Sequence, residues 1–422
     1  MQYCKRCIYP ESHPHYLTFD DEGVCSGCRI HEEKDTLDWE EKFRLLEKVV
    51  GHYRNKDGDN YDCIVPVCGG RDSYFITHVV TKKLGLNPLL LTYNEQYNTR
   101  KGIRNLARLV TAFDCDHMQY TVNPQLIKKI VKVNLKKYGD IYWHCNAGMT
   151  VFPVQVAVRF NIPLIIWGAH PLTEAVGMFS HLDLVEMAKK VRKEHFIREF
   201  EGLVDEKEGI TQADMTPFLY PTDEELENVG VRGLYLDNFI RWDAQKQHED
   251  MIRLYGYESG EQDRTFNPYE NVHCFVSAGV QDYLKFLKFG YGRASDHAVR
   301  DIRLKRMTRE EAIELSVKYD RQKPHDLTWF LNWLGITEKE LEYYMESHRD
   351  PRAWEKVNNE WRLKDPLENH INDPGINQVR LERTEVRNYI HTVSPESDDK
   401  DTHPYLMGRT YLDKRNFRAV TD

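Results

Sequence analysis

The chain has 422 residues, 41% of them hydrophobic and 30% charged, a balance that excludes a disordered or fibrous protein and predicts two or three globular domains. Its 58 basic and 67 acidic residues give a formal net charge of -9, which argues against a large nucleic-acid footprint because phosphate contacts need clustered cations. No apolar run approaches the roughly 18 residues of a membrane span, and the first residues lead into no signal peptide. We therefore expect a cytoplasmic protein without membrane contact.

Four of the nine cysteines form two pairs near the start of the chain. They are Cys4, Cys7, Cys25 and Cys28. Two residues separate the members of each pair and 17 separate the pairs, a spacing that lets four thiolates surround one tetrahedral ion. Residues 1–35 have too little apolar periodicity to build a core, and metal binding supplies the folding free energy that such a segment lacks. We therefore predict a structural zinc site in a module over residues 1–35.

Other interpretations of this cysteine quartet stay open. An iron-sulfur cluster also binds four thiolates, and disulfides or free thiols are further alternatives. Three nearby histidines could replace one ligand: His13, His15 and His31. Zinc is the interpretation that the spacing favours.

After this module, predicted strands and helices alternate. An amphipathic helix over 39–53 leads into a strand at 63–67, and a helix follows at 73–84. Further strands are predicted at 88–93, 117–121 and 163–167, and further helices at 101–113, 124–138 and 147–160. The alternation predicts an α/β domain over residues 36–240, with a parallel sheet sandwiched by helices.

The strand signal fades after residue 168, and the second half is predicted to be mostly helical. Helices are expected at 182–200, 242–255 and 276–289, and another starts at the capping box formed by Thr308 and Glu311. These elements predict a helical region over 241–365. Residues 366–422 are polar and weakly periodic, so we expect an extended or partly disordered tail.

The heptapeptide Val-Cys-Gly-Gly-Arg-Asp-Ser lies between the first strand of the α/β domain and the helix that follows it. Its glycine pair lets the backbone turn tightly and approach a ligand that any Cβ would block. Backbone amides and the positive end of the helix favour phosphate there. Arg71 adds a fixed charge, Asp72 can hold a magnesium ion, and Ser73 can donate its hydroxyl. The heptapeptide alone also fits an ordinary turn between a strand and a helix.

This heptapeptide resembles the Ser-Gly-Gly-x-Asp-Ser motif of the PP-loop ATP pyrophosphatases, whose fold is adenine nucleotide alpha-hydrolase-like. Enzymes of this superfamily split ATP into AMP and pyrophosphate while they adenylate a substrate oxygen, and ammonia or sulfur then displaces AMP. Cys68 replaces the first serine and is a weaker donor. Arg71 stands where many members have lysine. The resemblance implies that residues 36–240 bind ATP.

A longer resemblance, over residues 1–320, is to the N-acetyl sugar amidotransferases of bacterial surface-polysaccharide and lipopolysaccharide (LPS) O-antigen biosynthesis. It includes the cysteine quartet, the loop, the strand that ends Ile-Ile-Trp-Gly, and Trp242. The segments most particular to this family are 289–296, 301–303 and 307–312. The resemblance implies an enzyme that uses ATP and Mg²⁺ to adenylate the acetamido oxygen of a nucleotide-linked N-acetyl sugar. Ammonia then replaces that oxygen and forms an acetamidino group.

The resemblance also implies which residues form the site. Catalysis is expected from Arg71, Asp72 and Ser73, with Asp72 as the Mg²⁺ ligand. The residues expected to contact ATP are Cys68, Gly69, Gly70, Arg71, Asp72, Ser73, Thr92, Tyr93 and Gly168. Candidates for substrate or magnesium contacts are Arg293, Asp296, Asp301 and Arg303, for which a solvated loop with local salt bridges is an equal alternative. His144 or Cys145 could face the site, but a packed turn is the favoured interpretation.

Ammonia needs a source, and this chain lacks the two glutaminase signatures. Pro66 occupies the first position of the Gly-x-Cys-x-Gly elbow around Cys68, and the start of the chain lacks the N-terminal cysteine of the other glutaminase class. We therefore expect a separate glutamine amidotransferase subunit as a partner, in addition to the nucleotide-linked sugar.

Two other functions are compatible with the loop. A PP-loop enzyme that thiolates tRNA usually needs catalytic cysteines in its body, whereas the remaining cysteines here are isolated. The four that bear on this point are Cys63, Cys115, Cys145 and Cys274. A non-catalytic scaffold with a degenerate loop is the other alternative, and retention of both glycines and Asp72 argues against it.

Overall fold

The computed structural model describes residues 1–15, 17–192, 201–268 and 276–376. A five-stranded parallel sheet lies at its centre, with the strand order β3-β2-β1-β4-β5. The strands are β1 (Cys63–Pro66), β2 (Pro88–Tyr93), β3 (His117–Tyr120), β4 (Leu164–Trp167) and β5 (Arg232–Tyr235). Neighbouring residues of β1 belong to different cores, Ile64 to one and Val65 to the other. The sheet is thus covered on both faces, which confirms the predicted α/β class.

Helices pack around this sheet and build much of the second half of the chain. Those before residue 193 are α1 (Ser26–Glu33), α2 (Trp39–Gly51), α3 (Arg71–His78), α4 (Arg100–Phe113), α5 (Pro124–Tyr138), α6 (Trp143–Phe160), α7 (Pro171–Val176) and α8 (Lys189–Val191). Those after residue 200 are α9 (Asp223–Val229), α10 (Ala244–Tyr255), α11 (Ala278–Phe289), α12 (Arg293–Arg303), α13 (Arg309–Asp320), α14 (Leu327–Leu334) and α15 (Glu338–Glu346). Across the described ranges, no helix combines the length and the apolarity that crossing a membrane requires.

Two predicted helix starts are confirmed by their capping contacts. The Asn123 side chain accepts a hydrogen bond from the Gln125 amide, and Pro124 is the first residue of α5. Thr308 and Glu311 form both hydrogen bonds of the capping box at the start of α13.

The helix predicted over 182–200 is wrong for residues 182–188. The Asp183 carboxylate accepts from the Ser180 amide at 2.7 Å, and Leu184 has a positive φ of 47°, so a turn interrupts the apolar periodicity. Helix α8 covers only Lys189–Val191, and residues 193–200 lie outside the described residues.

Three strands in the second half were missed. Strand β5 completes the sheet, although its sequence Arg-Gly-Leu-Tyr is short and half of it is not apolar. Gly233 is needed there because a Cβ would lie 2.6 Å from the Met187 Cβ. An antiparallel hairpin formed by β6 (Trp354–Val357) and β7 (Glu360–Leu363) follows the last helix.

The start of the predicted tail is packed against the rest of the protein. A 3-10 turn at Leu367–His370 presents the His370 carbonyl to the Arg309 guanidinium, at 2.5 Å. The Ile376 amide donates to the Lys5 carbonyl at 3.0 Å. Residues 366–376 are thus packed and largely without regular structure, and residues 377–422, the rest of the predicted tail, lie outside the described residues.

The first 35 residues share a third core with later parts of the chain. The buried cysteine quartet packs with Val176 and Phe179, which follow β4, and with Val299 and Ile313 from α12 and α13. The low apolar content of this segment is thus compensated by partners that lie far away in the sequence.

Candidate active site

The loop between β1 and α3 depends on Gly69 for two different reasons. Gly69 has a φ of +82°, which L side chains rarely adopt, and a Cβ there would lie 2.8 Å from the Leu106 amide nitrogen of α4. Gly70 is the N-cap residue of α3. Because Gly69 has no Cβ, the loop lies directly on the neighbouring helix.

Several contacts join residues of the loop to one another. The Cys68 amide donates to the Ser73 hydroxyl oxygen at 2.9 Å, and the Cys68 Sγ lies 3.6 Å from the same oxygen. The Arg71 guanidinium donates to the Asp72 carboxylate, with Nη2 and Oδ1 separated by 2.6 Å. Arg71 and Asp72 line a large cavity beside the loop.

The predicted ATP contacts on the other strands are placed differently. Thr92 is buried and its hydroxyl donates to the Val67 carbonyl at 2.7 Å. The buried Tyr93 hydroxyl lies 3.2 Å from His144 Nδ1. Neither side chain is among those that line the cavity, so any contact with a nucleotide would come from their backbone. Gly168 directly follows β4, and a Cβ there would lie 3.0 Å from Ile76 of α3 and 3.1 Å from Trp242.

The cavity has a volume of about 820 Å³, and its lining includes residues from the loop, from the cysteine module and from α11 and α12. The loop contributes Arg71 and Asp72. The cysteine module contributes Tyr9, His13, His15 and His31. Residues 278–304 contribute five basic side chains from α11 and α12: Lys285, Lys288, Arg293, Arg300 and Arg303. The cavity therefore joins the loop to both flanking regions.

The predicted substrate residues lie on a helix, α12, and not on a solvated loop. Asp296 accepts hydrogen bonds from Lys285 Nζ at 2.6 and 2.7 Å and from the Tyr9 hydroxyl at 2.9 Å. Burial opposes its charge, but Lys285 more than compensates, and the pKa of Asp296 is lowered to about 2. Asp301 does not line the cavity.

Arg303 connects the cavity to the cysteine quartet. Its Nη1 donates to the carbonyls of Glu174 and Ala175 at 2.7 and 3.0 Å, and its Nη2 lies 3.8 Å from Cys25 Sγ. The guanidinium also stacks over the Tyr9 ring, 5.4 Å from the ring centroid. Arg303 thus contacts the quartet and lines the cavity at the same time.

The quartet itself fits a single metal ion. The four Sγ atoms are buried and lie within 4.8 Å of one another, and those of Cys7 and Cys25 are 3.7 Å apart. Four thiolates placed tetrahedrally at the usual zinc distance would be about 3.8 Å apart. His13, His15 and His31 are not part of this cluster, which contains only the four cysteines.

Two residues near the loop were missed by the sequence analysis. Glu95 lies just beyond β2 and its carboxylate accepts from the Tyr142 hydroxyl at 3.1 Å. Burial, and to a lesser degree the neighbouring Cys68 thiol, raises the pKa of Glu95 to about 8. Tyr142 lines the cavity. The position of Glu95 at the carboxyl end of a parallel strand was the one available signal, since ligands bind at that edge of such sheets.

His144 and Cys145 belong to the first turn of α6 and are buried. Burial lowers the pKa of His144 to about 4. Neither residue lines the cavity, so the predicted packing is confirmed, but both residues belong to α6 and not to a turn before it.

Comparisons with known proteins add one family and three more distant likenesses. The uncharacterized protein MJ1599 of Methanocaldococcus jannaschii is 23% identical over 115 residues, which are 27% of this chain and 41% of that protein. The chain thus spans less than half the length of this relative. Among solved structures, NMN synthetase from Francisella tularensis is 12% identical, with 44% of this chain and 81% of that one covered and a TM-score of 0.25. The U34-tRNA thiolase NcsA from Methanococcus maripaludis, solved with its 4Fe-4S cluster, is 12% identical, with coverage of 60% and 82% and a TM-score of 0.19.

The family match falls on the part of the chain that forms the basic side of the cavity. Residues 263–367 match the model described as LPS biosynthesis protein WbpG-like, C-terminal domain. This segment includes α11 and α12, which carry five of the basic side chains that line the cavity. This segment is therefore similar to the C-terminal domain of WbpG-like LPS biosynthesis proteins, in agreement with the predicted resemblance for that part of the sequence.

Proposed function

We propose that this protein is an ATP-dependent amidotransferase that converts the acetamido group of a nucleotide-linked N-acetyl sugar into an acetamidino group. The observation that supports the proposal is the shared cavity. The loop supplies Arg71 and Asp72, and the WbpG-like segment supplies a basic wall, to one space of about 820 Å³. That volume lies within the range of small-molecule sites. Six cationic and five acidic side chains line this space, and the cationic ones can pair with the phosphates of ATP and of a nucleotide-linked sugar.

The reaction balances without an oxidant or a reductant. The amide oxygen attacks the α-phosphorus of ATP, the bond from this phosphorus to the bridging oxygen breaks, and pyrophosphate leaves. The product is an O-adenylated imidate that carries a positive charge. Ammonia then forms a bond to the imidate carbon, and the carbon-oxygen bond to AMP breaks. One proton of the ammonia adduct leaves with AMP, and the sugar retains an amidinium group.

Residues of the loop fit the first of these steps. Backbone amides before α3 and the guanidinium of Arg71 would neutralise charge on the departing pyrophosphate. Asp72 would hold a magnesium ion, because a carboxylate oxygen is a hard ligand and Mg²⁺ in nucleotide sites is usually bound by one or two carboxylates together with the phosphates. A bound Mg²⁺ would supply further charge neutralisation.

The test is direct. Purified protein is mixed with ATP, Mg²⁺, ¹⁵N-ammonium and UDP-linked or CMP-linked N-acetyl sugars, and pyrophosphate release and sugar mass are followed. We expect sugar-dependent pyrophosphate release and transfer of one ¹⁵N to the sugar. Pyrophosphate release that depends on tRNA and not on sugar would replace this proposal with tRNA thiolation. A lack of ATP turnover with every sugar and with tRNA would support a non-catalytic scaffold.

We further propose a separate glutamine amidotransferase subunit as the source of ammonia. The reason is chemical: Pro66 occupies the first glycine position of the Gly-x-Cys-x-Gly nucleophile pattern around Cys68. Affinity purification from the native cell should recover a glutaminase that makes turnover glutamine-dependent. Full glutamine-dependent activity of the single chain would overturn this part of the proposal.

A further inference from the structure

One wall of the cavity is built from stacked rings instead of charged side chains alone. Tyr9 and His13 come from the cysteine module, and Tyr291 lies between α11 and α12. The rings of His13 and Tyr291 are stacked, with centroids 5.5 Å apart and planes at 25°. Tyr9 contacts both rings edge-on, at 4.7 and 5.7 Å. We call these three residues, with Lys285 and Asp296, the aromatic wall.

The polar groups of the aromatic wall are held in fixed positions. Lys285 Nζ lies 4.3 Å from the centroid of the Tyr291 ring and 2.6 Å from the Asp296 carboxylate. The Tyr9 hydroxyl donates to the same carboxylate at 2.9 Å. Lys285 and Tyr9 both donate to the Asp296 carboxylate and so fix its orientation. Its remaining lone pairs therefore point in fixed directions.

The Tyr291 hydroxyl of this wall has no hydrogen-bond partner in the part of the chain that the structure describes. Tyr291 is only 4% exposed, it lines the cavity, and its hydroxyl forms no hydrogen bond among the described residues. A buried hydroxyl without a partner is destabilising, so such groups usually meet a ligand or an ordered water. The Tyr291 hydroxyl is therefore the point of the wall at which a bound ligand would complete the hydrogen bonding.

The chemistry of the wall selects the kind of ligand. Tyr9 is 3% exposed and His13 and Tyr291 are each 4% exposed, so only small apolar parts of the three rings border the cavity. Those parts match the C-H groups of a pyranose, while a carboxylate, an ammonium and a phenol match its hydroxyls. The Asp296 carboxylate, which stays ionised, is unfavourable for a phosphate. On the assumption that the proposed function holds, we propose that the aromatic wall binds the sugar ring of the nucleotide-linked substrate. The metal module would then contact the substrate directly through Tyr9 and His13.

The decisive variant is Tyr291→Phe, which removes the unpartnered hydroxyl and keeps the stacked ring. We expect the KM for a UDP-N-acetyl sugar to rise about tenfold, as for loss of one hydrogen bond, with an unchanged KM for ATP. Calorimetry should show the same loss of affinity for the UDP-sugar but none for UDP. His13→Ala, which removes the ring stacked on Tyr291, should likewise weaken the sugar and not ATP, with the metal content of wild type. Tyr343→Phe, which changes a tyrosine that is 73% exposed, is the matched control and should leave all constants unchanged.

The outcomes separate this proposal from the proposed function. Amidine formation by the wild type, with unchanged sugar constants in both variants, would overturn the aromatic wall and leave the function standing. If the variants bind the UDP-sugar more weakly but the wild type forms no amidine, the proposed function falls and the aromatic wall stands. Equal weakening of UDP and UDP-sugar would place the nucleoside at the wall and overturn the sugar assignment. Failure of the wild type to bind any UDP- or CMP-linked N-acetyl sugar would overturn both.

Discussion

Within the ion pair of the loop, the two partners differ in how much solvent they meet. The Arg71 side chain is 2% exposed and the Asp72 side chain is 35% exposed. The guanidinium is therefore held by its surroundings, whereas the carboxylate borders the cavity and can turn toward a ligand. This asymmetry suits a fixed charge that orients phosphate beside a carboxylate that takes a cation.

Replacing Asp72 with asparagine tests this arrangement. Asp72→Asn keeps the size of the side chain and removes its charge, so the enzyme should lose the group that we assign to Mg²⁺. We expect turnover to fall by about 100-fold or more, the scale seen when one charge-stabilising group is removed from an active site. Pyrophosphate release at saturating ATP measures it. Asp57→Asn, on an exposed loop, is the control, and equal activity of the two variants would contradict the role of Asp72.

Glu95 should couple stability to pH. Its pKa is raised from 4.5 to about 8 in the folded protein, so the folded state keeps a proton that the unfolded chain releases. The contribution of Glu95 to the stability of the folded protein is complete below about pH 4.5 and is lost as the pH rises toward 8. Glu95→Gln stays uncharged and avoids this loss. Relative to wild type, its free energy of unfolding should increase between these pH values by at most about 1.4 kcal/mol per pH unit.

Urea unfolding at several pH values measures this difference. Glu47→Gln, at an exposed position of α2, should follow the wild type at every pH. A Glu95→Gln variant whose stability parallels that of wild type across the same range would show that Glu95 is not protonated in the folded protein.

At the scale of elements, the loop depends on how closely α4 approaches it. Gly69 and Gly58 both have a left-handed φ, +82° and +72°, but only a Cβ at Gly69 would meet another segment. The chain thus offers a natural pair that separates the backbone requirement from the steric one.

The pair predicts different outcomes for the same substitution. Gly58→Ala should cost about 1 kcal/mol of stability, the usual penalty for an L residue in this conformation, and leave ATP turnover intact. Gly69→Ala should cost roughly 1–3 kcal/mol more, because the methyl group would push the loop away from the Leu106 amide. Turnover should fall as well. Thermal unfolding measures the stability, and pyrophosphate release measures the turnover. If the two variants behaved alike, α4 would move away from the added methyl group at little cost in free energy.

Sequence patterns predicted those elements whose signal is local. Strands β1, β2 and β4 are continuous apolar runs, and α5 and α13 start with recognisable caps. Strand β5 carries Arg232 and Gly233 in four residues, and its place in the sheet is set by pairing with β4, which no short window reveals. The turn at Asp183 and Leu184 is likewise a side-chain contact inside an apparently helical pattern.

The residues of the candidate site, too, were predictable only where a motif or a resemblance identifies them. A contiguous motif identified Arg71 and Asp72, and a long resemblance identified the region of Asp296 and Arg303. Tyr142 and Glu95 belong to no motif, because their proximity arises only when β2 and α6 meet in the folded protein. Nothing in the sequence indicated that the cysteine module would supply a wall of the cavity.

For the whole molecule, the cysteine module lies between the α/β sheet and the WbpG-like segment. It shares a core with α12 and α13, Arg303 reaches its sulfur atoms, and the segment after β7 covers it. Loss of a bound metal ion should therefore loosen the packing around the cavity and not only that of residues 1–35.

The variant Cys25→Ser tests this coupling. We expect about one zinc ion per chain in the wild type and a loss of most of it in the variant. Hydrogen exchange should become faster in α12 and α13, which pack on the module, and stay unchanged in α5. Cys115→Ser, outside the quartet, is the control. Iron in place of zinc would reassign the metal, and unchanged exchange in α12 would contradict the coupling.

The burial of the quartet should also determine how fast a bound metal ion exchanges. Its four sulfur atoms are covered by segments that leave the ribosome hundreds of residues later, such as α12, α13 and the turn at Leu367–His370. A metal ion bound by the nascent pairs would therefore be enclosed afterward by these later segments. Once folding is complete, it can exchange only when those distant segments separate. Its residence time should therefore follow the rate of that opening, so that chelators added to the mature protein act on the timescale of unfolding.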